Sequence, residues 1–494
     1  MHSLSLLSFV LPLVSAFNSY RWPLNDCLND HNVPLLLASS VGWAEEIEPY
    51  NLRFALTPNV VTIPRNVADV QAAVRCAYDA GIKVTVRSGG HSYGAYGLYG
   101  TMVLDLSEFQ DVTLDSSNIA SVGGGVRLGN MATKIFNLGQ RALPHGTCPG
   151  VGVGGHGTLG GFGYSSRYWG LLVDTIVKFD VVHADGTFES VTATSNPDLF
   201  WALRGAGPGF AIVVTFYFET LPAPEENINW SYTYTFSSAY YAAISFEFAT
   251  NWAYQNAPKE LGFGIFVSAN QFVVQGVYPG SIAALDDILD PLLAEMISLN
   301  EGKTPESSVQ SYNWIDSLTV LGGGHLETPP EGDHSHDTFY VKSLDTHQCT
   351  PLSYAALESL FTYLYTTTPP SNSEWFIIAN LYGGSDSVIT SFPPSTDPAS
   401  TSSYAGRDTG YVWQLYGYTE DSLPPFNVDI ISFVKGMVDA LGDEGDLPAY
   451  APYADTELTQ EEAQVRYWGG GVDRLKAIKA AVDPTGILYN PQGF

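Results

Sequence analysis

The sequence predicts an α+β fold of two domains, the second inserted into the first, and three features predict it. A strand–helix–strand pattern follows an N-terminal arm, aromatic-rich alternating segments fill the middle, and helix-forming sequence closes the chain. The boundaries read as a leader over 1–16, a first domain over 17–226 completed by 440–494, and an inserted domain over 227–439. At 494 residues the chain is long enough for more than one core.

Each element follows from local chemistry. The leader "MHSLSLLSFVLPLVSA" has an apolar run from Leu4 to Val14 and a small-residue cleavage site, Val14-Ser15-Ala16, although no Lys or Arg precedes the run. The mature chain is expected to be secreted and to begin near Phe17. "VVTIP" reads as a strand, Asn66 caps a helix carrying Val70, Val74 and Ala77 on one face, and "IKVTVRS" is a second strand. Short β-rich pieces follow: "TMVLDLS", "IASVGGGVRLG" and "VKFDVVHADGTFESVTA". The stretch "NPDLFWALRGAGPGFAIVVTFYFETLPAP" adds a helix, a glycine loop and a strand, and its prolines mark a boundary near 222–226. Beyond it, "WSYTYTF", "QFVVQGVYPG", "EWFIIANLYGG" and "YVWQLYGY" alternate as strands of an antiparallel sheet do, with helix-like stretches between them. "SFPPSTDPASTSS" is a loop. Thr459 to Glu462 forms a capping box, and "VDRLKAIKAAV" is an amphipathic helix.

Composition excludes several classes of partner. With 51 acidic and 21 basic residues the net charge is −30, so phosphate backbones and anionic headgroups are repelled. No stretch after the leader reaches the ~18 apolar residues that a membrane span requires. Neither nucleic acid nor membrane is expected, and the partner is a small molecule. The sequon Asn229-Trp230-Ser231 offers a glycosylation site at Asn229. Four cysteines (Cys27, Cys76, Cys148 and Cys349) allow three ways of forming two bridges. Cys148 stands apart, because its proline–glycine loop suits ligand contact better than a staple.

Two glycine-rich loops carry the chemistry. "VRSGGHSYGAYG" delivers His91 to the end of a strand, among glycines that let a backbone approach something closely. "HGTCPGVGVGGHGTLGGFGYSSRYWG" carries Cys148 and a formal G-x-G-x-x-G at Gly152, Gly154 and Gly157. A dinucleotide fingerprint needs a strand before it and a helix opening within it. Here "RALPHGTCP" precedes, and glycines continue where the helix should run, so that reading is set aside. The cluster His334, His336 and Asp337 lacks the spacing of a metal site, and no metal is expected.

Taken with "YWGGGVDRLKAIKAAVDPTGILYNPQGF" at the C-terminus, these loops resemble the berberine-bridge-type flavoproteins of the vanillyl-alcohol oxidase class. Within that class they are most similar to the secreted fungal gluco-, xylo- and chito-oligosaccharide oxidases, over nearly the whole chain after the leader. The resemblance implies a split FAD-binding domain of two α/β subdomains and a substrate domain with a large antiparallel sheet flanked by helices. FAD would be bound covalently twice, through its 8α-methyl to His91 and through C6 to Cys148. Around His91 the implied cofactor contacts are Arg87, Ser88, Gly89, Gly90, Ser92 and Gly94. Near Cys148 they are Val151, Gly152, Gly155 and Gly157, with Val213 and Asn490 farther along. A small residue at Val151 goes with oxygen access, which favours an oxidase. Cys27 would pair with Cys76, leaving Cys349 free.

The same resemblance places the base at Tyr453, in "APYADTELTQEEA". Lowering a phenol from a pKa near 10 to about 7 takes roughly 4 kcal/mol of preferential stabilisation. The assisting aspartate of the family falls at Asn380, so that carboxylate is missing. Tyr93 and Gln414 match sugar contacts, whereas Ile378 and Phe266 stand where a glutamine and an acidic contact are expected. The implied reaction is oxidation of an oligosaccharide's anomeric C1–OH to the lactone by a monomeric enzyme, with O2 reduced to H2O2. Two other readings remain: a tailoring oxidase of a less polar natural product, and a flavin-containing binding protein without turnover.

Overall fold

The computed structural model describes residues 23–329, 332, 335–391 and 402–494. The leader with its cleavage site, Phe17, His334 and most of the loop "SFPPSTDPASTSS" lie outside the described residues.

The first sheet is built from short, largely buried strands. Val60–Thr62 and Val84–Arg87 lie parallel to Met102–Asp105 on either side, and Leu35–Leu36 adds an antiparallel edge. Between the first two runs the helix Val67–Ala80, capped by the Asn66 side chain on the Asp69 amide and ended by Gly81 at φ 65°. A left-handed residue there closes the helix without a Cβ penalty. Val70, Val74 and Ala77 are buried against the sheet. Cys76 on this helix is joined to Cys27 on the helix Pro23–Asp30, with Cα atoms 5.8 Å apart. The chain's last turn returns to the same sheet. The Val84 amide donates to Ile487 O at 2.7 Å and the Tyr489 amide to Val84 O at 2.8 Å.

A second sheet is antiparallel in every pairing, in the order Val112–Leu114, Ile119–Gly123, Ile212–Glu219, Ile176–Val182, Phe188–Val191. Its core draws on the helices Pro197–Ala206, Gln460–Trp468 and Val472–Val482 through Phe200, Tyr467, Trp468 and Leu475. Both halves of the Thr459–Glu462 capping box form.

The third sheet has seven antiparallel strands, in the order Glu306–Tyr312, Asn227–Tyr234, Phe272–Tyr278, Gly262–Ser268, Ser373–Leu381, Thr409–Thr419, Phe339–His347. Its alternation decides its two faces. Trp230, Ile265, Ile377, Trp413 and Leu344 turn one way, into a core with the helices Ala239–Asn256, Ile282–Leu299, Tyr354–Thr366 and Asp429–Asp439. The residues between them face the other way, toward the first two sheets.

Two sequence expectations meet different surroundings. Asn229 lies inside a strand paired on both sides. Its amide donates to Ser317 O at 3.0 Å and accepts from Ser317 Oγ at 2.5 Å. A glycan on Nδ2 would have to break this arrangement, which argues against the sequon. His336 bonds Pro49 O at 2.9 Å and Asp337 accepts from the Tyr416 hydroxyl at 2.7 Å, so both tie loops together. Among the described residues, the group with metal-ligand spacing is Cys27, His31 and Cys76, two of which form the disulfide. No described helix is long and apolar enough to cross a membrane.

Candidate active site

A cavity of about 490 Å³ opens between the two glycine loops, the free face of the seven-stranded sheet and the segment that carries Tyr453. His91, Cys148, Tyr453, Gln414, Asn380 and Ile378 all line it, although they come from five separate stretches of chain. The Cys148 thiol is exposed to it and takes no part in a disulfide.

The two loops are locked together by backbone. A Cβ on Gly89 would stand 2.2 Å from Gly152 N, and one on Gly152 would stand 2.1 Å from Gly89 N. No side chain fits at either position, so these glycines serve contact between the loops as much as contact with a ligand. Ser88 Oγ donates to Gly124 O at 2.6 Å and accepts from the Gly154 amide at 3.2 Å. Beneath them the buried Arg127 donates from Nη1 to Gly89 O at 2.7 Å and to Gly150 O at 2.6 Å. One guanidinium therefore fixes a carbonyl two residues from His91 and another two residues from Cys148. His91 itself stacks on Tyr50, ring centres 4.3 Å apart.

Most of the expected contacts do form the wall: Ser88, Gly89, Gly90, Ser92, Val151, Gly152, Gly155, Val213 and Asn490. Three of the expected residues are placed differently. The Arg87 backbone lines the cavity, but its guanidinium is committed to Asp105 and Glu46. Gly94 lies outside the wall, where a Cβ would meet the Tyr96 ring at 2.3 Å. Gly157 also lies outside, its Cα 's open side packed toward the Phe216 ring. The G-x-G-x-x-G run does hold a short helix, Val153–Thr158, where continuing glycines suggested none. It is not preceded by a parallel strand, so it is no dinucleotide unit.

On the sheet, register decides the face. Phe266, Ile378 and Gln414 stand directly opposite one another across three strands, and so share a face. Ile378 and Gln414 reach the cavity, whereas Phe266 stops short of it and stacks on Phe376 at 5.6 Å. Gly264 makes room for Asn380, since a Cβ there would meet Asn380 Oδ1 at 2.7 Å. Gln414 Nε2 donates to the Tyr93 hydroxyl at 2.9 Å, and the Tyr93 ring stacks on Tyr453, centres 5.9 Å apart.

The electrostatics of Tyr453 run against an easy ionisation. Burial first, then Tyr450, Cys148, Tyr164 and Asp345, push its phenol well above the ordinary value. Among the described residues, the cavity wall carries no Asp, Glu or Lys, and its one arginine is already paired. Its position, by contrast, is firmly set. Asp455, two residues on, accepts from Tyr340 Oη at 2.8 Å and Lys342 Nζ at 2.6 Å.

Sequence reasoning missed Arg127, Tyr50 and the wall residues Tyr164 and Gln275. Arg127 had a readable cue, being one of only 21 basic residues and standing two residues after a glycine run. The others are aromatic or polar strand residues whose face is visible only once register is known.

Comparison with known proteins agrees with this geometry. A model of the FAD binding domain matches residues 58–192, and one described as berberine and berberine like matches 449–494. A xylooligosaccharide oxidase of Thermothelomyces thermophilus is 37% identical, over 100% of this chain and 99% of its own. A glucooligosaccharide oxidase of Sarocladium strictum is 35% identical, over 98% of this chain and 96% of its own. Among solved structures, the glucooligosaccharide oxidase of Acremonium strictum, with its 6-S-cysteinyl, 8α-N1-histidyl FAD, superposes with a TM-score of 0.88 at 34% identity, covering 95% of this chain and 98% of that one. Site and likeness agree over the full length: the chain is an FAD-dependent oxidoreductase and belongs to the berberine-bridge-enzyme-like family of FAD-linked oxidases.

Proposed function

We propose that the protein is an extracellular, monomeric oxidase that holds FAD by two covalent bonds, at His91 and Cys148, and oxidises the anomeric C1–OH of a neutral oligosaccharide to the lactone. The observation that carries this reading is the meeting of His91 and the exposed Cys148 thiol in one cavity, on loops locked at Gly89 and Gly152. The names of the relatives support the substrate class. The residues suit the group: two nucleophilic side chains, and glycine backbone lining the wall between them. When bound, FAD would accept hydride from C1 and pass the electron pair to O2, giving H2O2.

The chain's own residues supply the rest. Tyr453 takes the hydroxyl proton as hydride leaves the same carbon. Gln414, fixed by its bond to Tyr93, holds the substrate beside it, and Asn380 offers an amide in place of a carboxylate. Val151 leaves a small half-buried side chain in the wall. The division into 17–226 with 440–494, and 227–439, suits this arrangement. The inserted sheet begins at Asn227, and the chain's end pairs with Val84.

A second reading, a tailoring oxidase of a less polar alcohol, is favoured by Ile378 in the wall and Phe266 beside it. A peroxide assay over neutral oligosaccharides and over phenolic, polyketide and alkaloid alcohols separates the two. Peroxide with oligosaccharides alone supports the first reading, turnover of the apolar alcohols alone supports the second, and no peroxide with any of them overturns both.

A further inference from the structure

The strand Gly262–Ser268 runs along the cavity with no side chain at two of its positions. Phe263 and Ile265 turn into the core, so Gly262 and Gly264 face the cavity. A Cβ on Gly262 would stand 2.5 Å from Tyr164 O. One on Gly264 would stand 3.6 Å from the Tyr164 ring and 2.7 Å from Asn380 Oδ1. Tyr164 therefore lies on the strand itself, in a notch that exists because neither position carries a side chain. Register places an amide on each side of it. Gly264 is opposite Gln275 on one neighbouring strand and Asn380 on the other, and residues directly opposite share a face. Gln275, Tyr164 and Asn380 all line the cavity.

The notch is rigid, and its polar groups keep capacity for a ligand. Arg167, buried three residues after Tyr164, donates to Leu261 O at 2.9 Å and to Gly383 O at 3.0 Å. Those carbonyls stand just before the strand of Gly264 and just after the strand of Asn380. One guanidinium thus fixes the Tyr164 segment to both strands. Asn380 is 8% exposed, and its amide enters no hydrogen bond with a described residue. Burial pushes the Tyr164 phenol up to about 12, while the Gln275 side chain bonded to it acts the other way, so the phenol stays neutral. Among the described residues the wall holds two such amides and a phenol but no Asp, Glu or Lys. That set suits a neutral group that both donates and accepts hydrogen bonds.

We propose that Gln275, Tyr164 and Asn380 form a binding subsite beside the reacting centre, which takes one ring hydroxyl of the substrate sugar other than the one oxidised. This rests on the oligosaccharide reading above. The carbinol stays with Gln414 and Tyr453, while the second hydroxyl enters the notch over Gly264, accepting from one amide and donating to the carbonyl of the other. Loss of a partner there weakens binding of the sugar and leaves the chemistry at the reacting carbon in place.

The test uses the holoenzyme with cellobiose and with xylobiose, and with each sugar deoxygenated at one free hydroxyl of the reducing ring. In the wild type, one deoxy analogue should show a Michaelis constant at least about fivefold above that of its parent, the worth of one buried hydrogen bond. Gln275→Leu should raise the parent's constant at least about fivefold and leave the limiting rate of flavin reduction within about twofold. That variant should then bind the analogue as well as the parent. Gly264→Ala, whose added methyl crowds Asn380 Oδ1, should do the same. Gly264 is not among the glycines at positive φ, so this variant keeps the backbone and decides alone if Gln275→Leu fails to fold. Wild-type constants in both variants overturn the subsite. So does a raised constant with the discrimination against the analogue intact, which marks a structural role only. A wild type that oxidises either parent but binds every analogue equally well overturns the subsite and leaves the substrate reading standing. No flavin reduction by either disaccharide overturns the subsite, and none by any oligosaccharide overturns the substrate reading as well.

Discussion

Replacing Arg127 with methionine tests whether the two glycine loops are one unit. Methionine keeps much of the volume and removes every donor. The loss strands Gly89 O and Gly150 O, which now accept from Nη1 at 2.7 Å and 2.6 Å in a residue that is 5% exposed. Leaving a buried acceptor unsatisfied costs about 1–3 kcal/mol, so the pair costs roughly 2–6 kcal/mol. That is a large share of the ~5–15 kcal/mol that holds a typical domain folded. The cost also falls locally, on the backbone that aims His91 and Cys148. Arg127→Met should lower the melting temperature by several degrees and leave a substantial fraction of the protein with one flavin bond or none. Intact mass and the flavin left in solution after acid precipitation measure this directly. Arg75→Met is the control, because that guanidinium pairs with Asp79 at the surface, with both side chains more than half exposed. Wild-type melting and full double attachment in Arg127→Met would refute the coupling of the loops.

Acid-precipitated wild-type protein should stay yellow, and His91→Ala combined with Cys148→Ala should release its flavin; free flavin from denatured wild type would show that no covalent bond exists. Tyr453→Phe should slow flavin reduction by at least ~10²-fold while leaving reoxidation by O2 nearly unchanged, as stopped-flow absorbance can measure. Ile378→Gln and Asn380→Asp together should lower the Michaelis constant for cellobiose by more than about tenfold, since each restored buried hydrogen bond is worth ~1–3 kcal/mol. A micromolar constant in the wild type would contradict that reasoning. Treatment with an amidase that removes N-glycans should leave the mass of the Asn229 peptide unchanged.

How much of this was legible in the sequence depended on the range of the interaction. The Asn66 cap, the Thr459–Glu462 box and the strand before His91 were readable because each is decided within a few residues. The loops bearing His91 and Cys148 were readable because glycine runs are rare and their cost needs a reason. The role of Gly89 and Gly152 was only half legible, since a contact between two loops looks in sequence like two separate ligand contacts. The ion pairs of Arg87 were not legible for a related reason: its partners Glu46 and Asp105 lie on other elements. Phe266 shared the predicted face, yet a neighbouring ring holds it off the wall. Asp345 was invisible, because nothing in "KSLDTH" indicates that the strand's edge is covered by a tyrosine cluster.

The rows of the seven-stranded sheet also set how an alcohol can lie in the cavity. One row runs Phe266, Ile378, Gln414, Ser343, and the next runs Gly264, Asn380, Val412, Asp345. The first row is apolar toward the middle of the sheet and polar toward the edge strand that carries the Tyr453 segment, whereas the second alternates, with Asn380 and Asp345 on either side of Val412. Phe376 extends the apolar end, stacking on Phe266 at 5.6 Å and on Tyr416 at 4.5 Å. In the proposed reaction the carbinol sits at the polar end, its carbon giving up hydride and its hydroxyl giving its proton to Tyr453. The rest of the molecule then lies over Ile378, whose side chain offers a sugar hydroxyl no partner and where an apolar or acetylated group gives up less hydration. Discrimination between substrates thus falls on the part of the molecule remote from the reacting carbon. It should show as differences in Michaelis constant among substrates that share one carbinol, with the limiting rate of flavin reduction changing little.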